Sequence, residues 1–200
     1  MTTSSEITKA TEADIQAAAD RVAEAFHDIE VCEWLVPDPD RRRQILPVYF
    51  AILAEYAYEY GEIFFTGEHR EGAALWVYHG DEPLPDPRDY EARLREACGE
   101  WTERFQILDE QFEAHHPHEP AHHHLALLAT TPARQGRGIG ATLMRQHHEY
   151  LDANGIGAYL EASSMRSRAL YERHGYVFSG TTIDLPDGPH MWPMWREPQS

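Results

Sequence analysis

His124-Leu125-Ala126-Leu127-Leu128-Ala129-Thr130, followed by Thr131-Pro132 and then by Gln135-Gly136-Arg137-Gly138-Ile139-Gly140, is the stretch that decides the fold. The first part is an almost unbroken apolar run ended by a proline, the pattern of a strand buried on both faces. The second is a glycine-rich turn. A helix follows from about Gly138 to Asn154, with Ile139, Leu143, Tyr150 and Leu151 on one side and with Gly155 and Gly157 closing it. Ala158 to Ala162 then reads as another strand. Strand, glycine-rich turn, helix and strand make a right-handed crossover between two parallel strands. Such a turn suits phosphate, because glycines let the backbone approach closely and the helix start offers free N–H groups with partial positive charge.

The spacing discriminates among phosphate ligands. It is G-x-G-x-G, which lacks the second gap of the dinucleotide fingerprint, and no Gly-Lys-Ser/Thr of a nucleotide-triphosphate loop is present. Charge argues independently. With 34 Asp and Glu in 200 residues, the stretch from Pro120 to His148 is expected to hold about five; it holds none and carries Arg134, Arg137 and Arg145. An acid-free basic window around a glycine-rich turn is what a polyphosphate ligand requires.

Upstream of this unit, a short strand at Ile7 to Ala10 leads into a helix with N-cap spacing at Thr11 and Asp14 and with Ile15, Ala18, Ala19, Val22, Ala25 and Phe26 on one face. Asp38 to Tyr60 carries Ile45, Tyr49, Ile52, Tyr56 and Tyr60 near a 3.6-residue period, a second helix ended by Gly61. Glu62 to Thr66 and Ala73 to Tyr78, joined by the polar turn from Gly67 to Gly72, read as a hairpin. After a Pro- and Asp-rich loop from Gly80 to Pro87, Tyr90, Leu94, Cys98, Trp101, Phe105, Leu108 and Phe112 predict one long amphipathic helix covering a sheet. No internal repeat or long linker divides the chain, so one domain over residues 1–200, with a helical insertion at about 80–121, is expected.

Composition narrows the function. The chain is 42% hydrophobic and 26% charged, enough for an ordinary core and far from a disordered composition. A formal charge of −17 argues against non-specific nucleic-acid binding. No apolar run approaches the roughly 20 residues that span a bilayer, and Met1 to Ala10 lacks a signal-peptide pattern, so the expectation is a cytoplasmic protein with no membrane partner. Cys32 and Cys98 are too few for a disulfide framework and read as small buried hydrophobes.

The residues quoted first carry a resemblance. Gln135-Gly136-Arg137-Gly138-Ile139-Gly140 is similar to the Q/R-x-x-G-x-G/A motif of the GNAT acetyltransferase superfamily, and Leu160-Glu161-Ala162-Ser163 and Ala169-Leu170-Tyr171-Glu172-Arg173-His174-Gly175-Tyr176 resemble its later strand-and-helix signature. Asp38-Pro39-Asp40-Arg41, Glu119-Pro120-Ala121, Tyr171-Glu172-Arg173 and Pro186-Asp187-Gly188-Pro189 are similar, in order and spacing, to puromycin N-acetyltransferase-like enzymes. The resemblance implies a mixed α/β GNAT fold: a mostly antiparallel central sheet, a splayed parallel strand pair at the acyl-CoA site, and flanking helices.

It also implies a site. Acetyl-CoA is the expected co-substrate, its pantetheine pairing with Leu128, Ala129 and Thr130 and its pyrophosphate lying on the N–H groups from Gln135 through Gly136, Arg137, Gly138, Ile139 and Gly140 to Ala141. Tyr171, a phenol with an ordinary pKa of about 10, is the candidate proton donor to the leaving thiolate; the competing reading is a core aromatic. Glu161, a carboxylate within a buried strand, is the candidate general base, acting through water; the competing reading is a structural carboxylate paired with backbone or Arg. The oxyanion is expected to meet a backbone N–H near Leu128. Where the family usually has Asn, this chain has Ser163-Ser164-Met165-Arg166-Ser167, and Ser164 or Ser167 is the expected pantetheine contact.

Histidines 115, 116, 118, 122, 123 and 124, with 147 and 148, raise a metal reading. Because strand side chains alternate, His122, His123 and His124 cannot converge on one ion. No metal is expected; a strand-entry cluster near the acceptor pocket and solvated or capping histidines are the alternatives. Glu33, Trp34, Tyr49 and Tyr56 are the candidate acceptor contacts, as aromatic and acidic groups suited to a protonated amine. The expected activity is acetylation of a primary amine on a small molecule, an aminonucleoside-type antibiotic being the narrower expectation with a role in resistance, by a monomer or homodimer. Protein or peptide N-acetylation and a non-catalytic acyl-CoA-binding regulatory module are the alternatives.

Overall fold

Alternating apolar residues along two neighbouring strands set the two faces of a central sheet. In the computed structural model, which describes residues 6–67 and 69–199, strands β2 (Gly61–Thr66) and β3 (Gly72–His79) form the expected antiparallel hairpin. Residues 1–5, part of the stretch read for a leader, and Glu68 in the hairpin turn lie outside the described residues. Ile63, Phe65, Ala73, Leu75 and Val77 point to one core, while Phe64, Ala74 and Trp76 point to the other. The first core is covered by α1 (Ile15–Phe26), α2 (Glu30–Leu35), α3 (Pro39–Tyr60), α4 (Tyr90–Cys98) and α5 (Thr102–His115). The second packs against α6 (Ile139–Asn154) and α7 (Met165–Glu172).

The sheet runs β1 (Ile7–Lys9), β2, β3, β4 (His122–Thr130), β5 (Gly157–Ala162), β8 (His190–Arg196) and β6 (Val177–Phe178), with β7 (Ile183–Asp184) pairing only with β8. Every pair is antiparallel except β4 with β5. That parallel pairing joins only His122, His123 and His124 to Gly157, Ala158 and Tyr159, after which the two strands part. The mixed sheet with one splayed parallel pair is the expected architecture.

Three local expectations change, and one helix is added. The long helix after Pro87 is broken in two at Gly99, whose φ of 54° and ψ of −122° leave helical space, although the apolar stripe continues through Leu94, Cys98, Phe105 and Leu108. Gly157 does not close α6. Gly155 does, whereas Gly157 begins β5, where a Cβ would come within 2.4 Å of the Trp195 indole. The short α2 has too few turns for a periodic signal. Strand β4 is not buried on both faces: His124, Ala126, Leu128 and Thr130 are only partly buried, because they look into a cavity. Cys32 and Cys98 are buried and free, as expected.

A bulge in β4 matters most for the site. Leu75 faces Leu127 and Trp76 faces Leu125, so Ala126 is the extra residue and the strand changes parity there. His122 and His124 therefore share the face of Leu127 and Ala129.

Candidate active site

The splay between β4 and β5 opens into one large cavity of about 1980 Å³, roughly twice what a single small ligand needs. Its two ends differ in charge. At one end the glycine-rich turn, Arg145, Arg166 and Arg173 line the wall. At the other the lining includes Asp81, Glu82 and Asp86 from the loop after β3, Asp109 and Glu113 from α5, and Glu119 from the loop before β4. The residues from 80 to 121 thus form the wall of the acidic end.

The basic end is a built anion cradle. Gly136 and Gly138 have φ of 76° and 81°, a left-handed turn that side-chain-bearing residues adopt only under strain. Gly138 is the N-cap of α6 and its carbonyl accepts the first helical bond, from the Thr142 N–H at 2.9 Å. The N–H groups of Ile139, Gly140 and Ala141 consequently have no acceptor within the helix, and the macrodipole adds to their pull on an anion. Beside them, β4 from Leu125 to Thr130 lacks β5 as a pairing partner, which leaves an open backbone edge along the cavity. This set fits acetyl-CoA: a strand edge for the amide-bearing pantetheine and a helix start with three arginines for the phosphates.

Between the two ends lie Glu161 and Tyr171, both lining the cavity. Glu161 sits on β5 on the face opposite Leu160 and Ala162, its side chain only 6% exposed. Its Oε2 accepts from His124 Nε2–H at 2.8 Å, whereas Oε1 is buried without a hydrogen-bond partner. Tyr171, at the end of α7, is buried, and burial together with the charge of Glu161 holds its phenol well above the ordinary value. It is therefore fully protonated at neutral pH. At the acidic end, Tyr90 donates to Asp109 at 2.7 Å, and burial pushes the Asp109 carboxyl up to about 6.

Residues 86–176 match the model of the Acetyltransferase (GNAT) family. A crystal structure from Corynebacterium glutamicum described as histone acetyltransferase HPA2 and related acetyltransferase is 26% identical, covering 98% of this chain and 97% of that one with a TM-score of 0.71. Residues 86–176 thus carry the GNAT acetyltransferase pattern, and the chain is an acetyltransferase of that fold. Two further solved structures share its fold at lower identity. Arylalkylamine N-acetyltransferase 2 from Aedes aegypti is 12% identical over 98% of this chain and 100% of that one, with a TM-score of 0.62. A Drosophila melanogaster polyamine N-acetyltransferase that forms N-acetylagmatine is 15% identical over 96% and 99%, with a TM-score of 0.61. Acetyl-CoA is the family's co-substrate, and the cradle above is where this acetyltransferase would hold it.

The structure distributes the sequence candidates unevenly. Leu128, Thr130, Gln135, Gly136, Gly138, Ile139, Gly140 and Ala141 line the cavity, while Ala129 faces the core behind it and Arg137 is exposed outside the lining. Ser164 and Ser167 line the cavity too, but their hydroxyls are engaged with one another's backbone in a capping box at the start of α7: the Ser167 N–H donates to Ser164 Oγ at 3.1 Å and the Ser164 N–H to Ser167 Oγ at 3.0 Å. Tyr49 and Tyr56 lie in the acidic half. Trp34 does not line the cavity. Its indole N–H donates to the Pro186 carbonyl at 2.9 Å and its ring packs on Gly188, so it clamps the Pro186 to Pro189 turn. Glu33 is also outside, within 3.7 Å of the Arg42 guanidinium. Sequence reasoning missed Arg173 and Asp109. Arg173 stood inside the quoted signature; Asp109 carried no signal, because an acid beside an apolar stripe reads as a solvated helix face.

Proposed function

We propose that this acetyltransferase transfers the acetyl group of acetyl-CoA to the primary amine of a small cationic acceptor, held in the acidic half of the cavity. The observation that carries the reading is the polarity of one continuous cavity: an anion cradle at one end, six carboxylates at the other, and Glu161 with Tyr171 between them. Acetyl-CoA supplies an activated thioester there. Glu161 is the base: its Oε1 has no hydrogen-bond partner and its side chain lies at the wall of the cavity, where an arriving ammonium must lose a proton before it can attack. Tyr171 is the acid that returns a proton to the departing thiolate. The backbone N–H near Leu128, beside the bulge at Ala126, is the donor for the developing oxyanion.

Amine acceptors agree with the arylalkylamine and polyamine named for the two insect enzymes of the same fold. The aromatic walls Tyr49, Tyr56, Tyr90 and Phe112 fit an acceptor that carries a ring as well as a positive charge. The aminonucleoside antibiotics are such amines, and the chain's similarity to puromycin N-acetyltransferase-like enzymes makes puromycin the first acceptor to try. The wall formed by residues 80–121 favours a small molecule over a protein chain end.

The deciding measurement is thiol release from acetyl-CoA with puromycin, arylalkylamines, polyamines, aminoglycosides and N-terminal peptides. Turnover with one of the small amines and none with peptides is expected. Turnover with peptides alone would transfer the assignment to protein modification.

A further inference from the structure

We propose that His79, His116 and His124 form a binding site for one divalent transition-metal ion of the zinc class, at the wall of the cavity beside Glu161. The argument from strand alternation excludes an ion held by His122, His123 and His124 together, and it still does: His123 turns to the opposite face, where its Nδ1 lies 3.0 Å from His147 Nε2. The proposed ligands come instead from three separate segments, the end of β3, the loop after α5, and β4. One ring nitrogen from each lies within 4.8 Å of the others. Zinc–nitrogen bonds of 2.0–2.1 Å place tetrahedral neighbours about 3.4 Å apart, so small ring rotations close the set.

The surrounding bonds leave one ring nitrogen on each of two of these rings with a free lone pair. His122 Nδ1 lies 2.8 Å from the Pro120 carbonyl and must donate to it, so His122 Nε2 is an acceptor. His116 Nε2 lies 3.2 Å from that nitrogen and is the donor, which leaves His116 Nδ1 with a free lone pair. Glu161 Oε2 takes the Nε2–H of His124 at 2.8 Å, which leaves Nδ1 of that ring as a lone pair too. A carboxylate or a neighbouring acceptor holding the far side of a ligating imidazole is the usual outer support of a zinc site. The His79 ring lies 4.3 Å from the His116 ring and is stacked on His122.

His79, His116, His124 and Glu161 all line the cavity, so the ion's fourth position faces the acceptor half. Water or a neutral amine would occupy it. Metal binding is therefore expected to inhibit in competition with the amine and to leave acetyl-CoA binding intact.

The test does not depend on the acceptor's identity. Full-length protein, stripped with chelator, is titrated with Co²⁺ and followed by visible absorption, then with Zn²⁺ by calorimetry, for the unaltered chain and for His79→Ala, His116→Ala and His118→Ala. Circular dichroism checks that each variant is folded. Expected are one ion per chain, the intense visible bands of four-coordinate Co²⁺, displacement by Zn²⁺, and zinc affinity at least about 100-fold weaker in a folded His79→Ala or His116→Ala variant than in His118→Ala. Zinc binding no tighter than millimolar, or equal in His116→Ala and the unaltered chain, overturns the proposal.

Discussion

At Glu161 a carboxylate has one oxygen hydrogen-bonded to His124 and the other buried without a partner. Such a group is costly unless something arrives to bond it, and in the proposed mechanism the acceptor's ammonium does so. Glu161→Gln keeps the shape and removes the proposed base. It is expected to lower kcat about 10²- to 10⁴-fold with acetyl-CoA affinity unchanged, measured by steady-state kinetics beside calorimetry. Tyr171→Phe removes only the proposed proton donor and is expected to lower kcat to a similar order, with the amine KM nearly constant. Turnover equal to the unaltered enzyme in either variant would remove that residue from the chemistry. Tyr49 and Tyr56 line the acidic half of the cavity, whereas Trp34 has a structural task in its hydrogen bond to Pro186.

At the scale of elements, the anion cradle depends on a left-handed turn feeding a helix. Gly138 stands at φ 81° with nothing within 4 Å of a built Cβ, so a substitution there meets no clash and costs backbone strain alone. Gly138→Val is expected to raise the acetyl-CoA KM roughly tenfold or more while the amine KM changes little, because a β-branched residue tilts the first-turn N–H groups away from their common focus. The splay of β4 from β5 has the same local origin. Pairing stops at His124 and Tyr159, and the bulge at Ala126 follows directly, so the open backbone edge and the turn of His124 toward Glu161 belong to one distortion.

At the scale of the molecule, two long-range interactions test the whole fold. Arg196 at the end of β8 is buried and makes a bidentate pair with Asp152 of α6, at 2.7 Å through both nitrogens. Arg196→Ala removes the two charged hydrogen bonds and leaves Asp152, a quarter exposed, with the Gln199 N–H alone, and is expected to cost about 2 kcal/mol, read from urea unfolding. Asp109 gives the acid side of the stability curve a slope. Its folded value of about 6 lies above the ordinary 3.8, so the folded chain holds this proton more tightly than the unfolded one. That contribution is complete below about pH 4 and is lost as pH rises to and through about 6. Asp109→Asn is expected to remove on the order of 2 kcal/mol of decline across that window, measured as the difference between the two unfolding profiles.

The sequence by itself determined the crossover unit and the anion-binding form of its turn, because both are local: a strand ended by a proline, a turn whose glycines permit positive φ, and a helix start whose free N–H groups follow from chain geometry. The acid-free stretch from Pro120 to His148 likewise showed directly, since charge is a property of composition. Periodicity carried α1, α3 and the hairpin, and it failed where one glycine interrupts an unbroken apolar stripe, at Gly99, because the stripe reports which face is buried and not whether the backbone continues. What only the tertiary structure decided is what meets across distance. Asp109 joins the acidic half of the cavity, Trp34 stays outside it, and the serines of the Ser163 to Ser167 stretch are absorbed in a helix cap. His79, His116 and His124 converge although 45 residues separate the first from the last. A bulge that shifts strand parity and a loop that folds back over the sheet are long-range events, set by packing against partners that no stretch of local sequence contains.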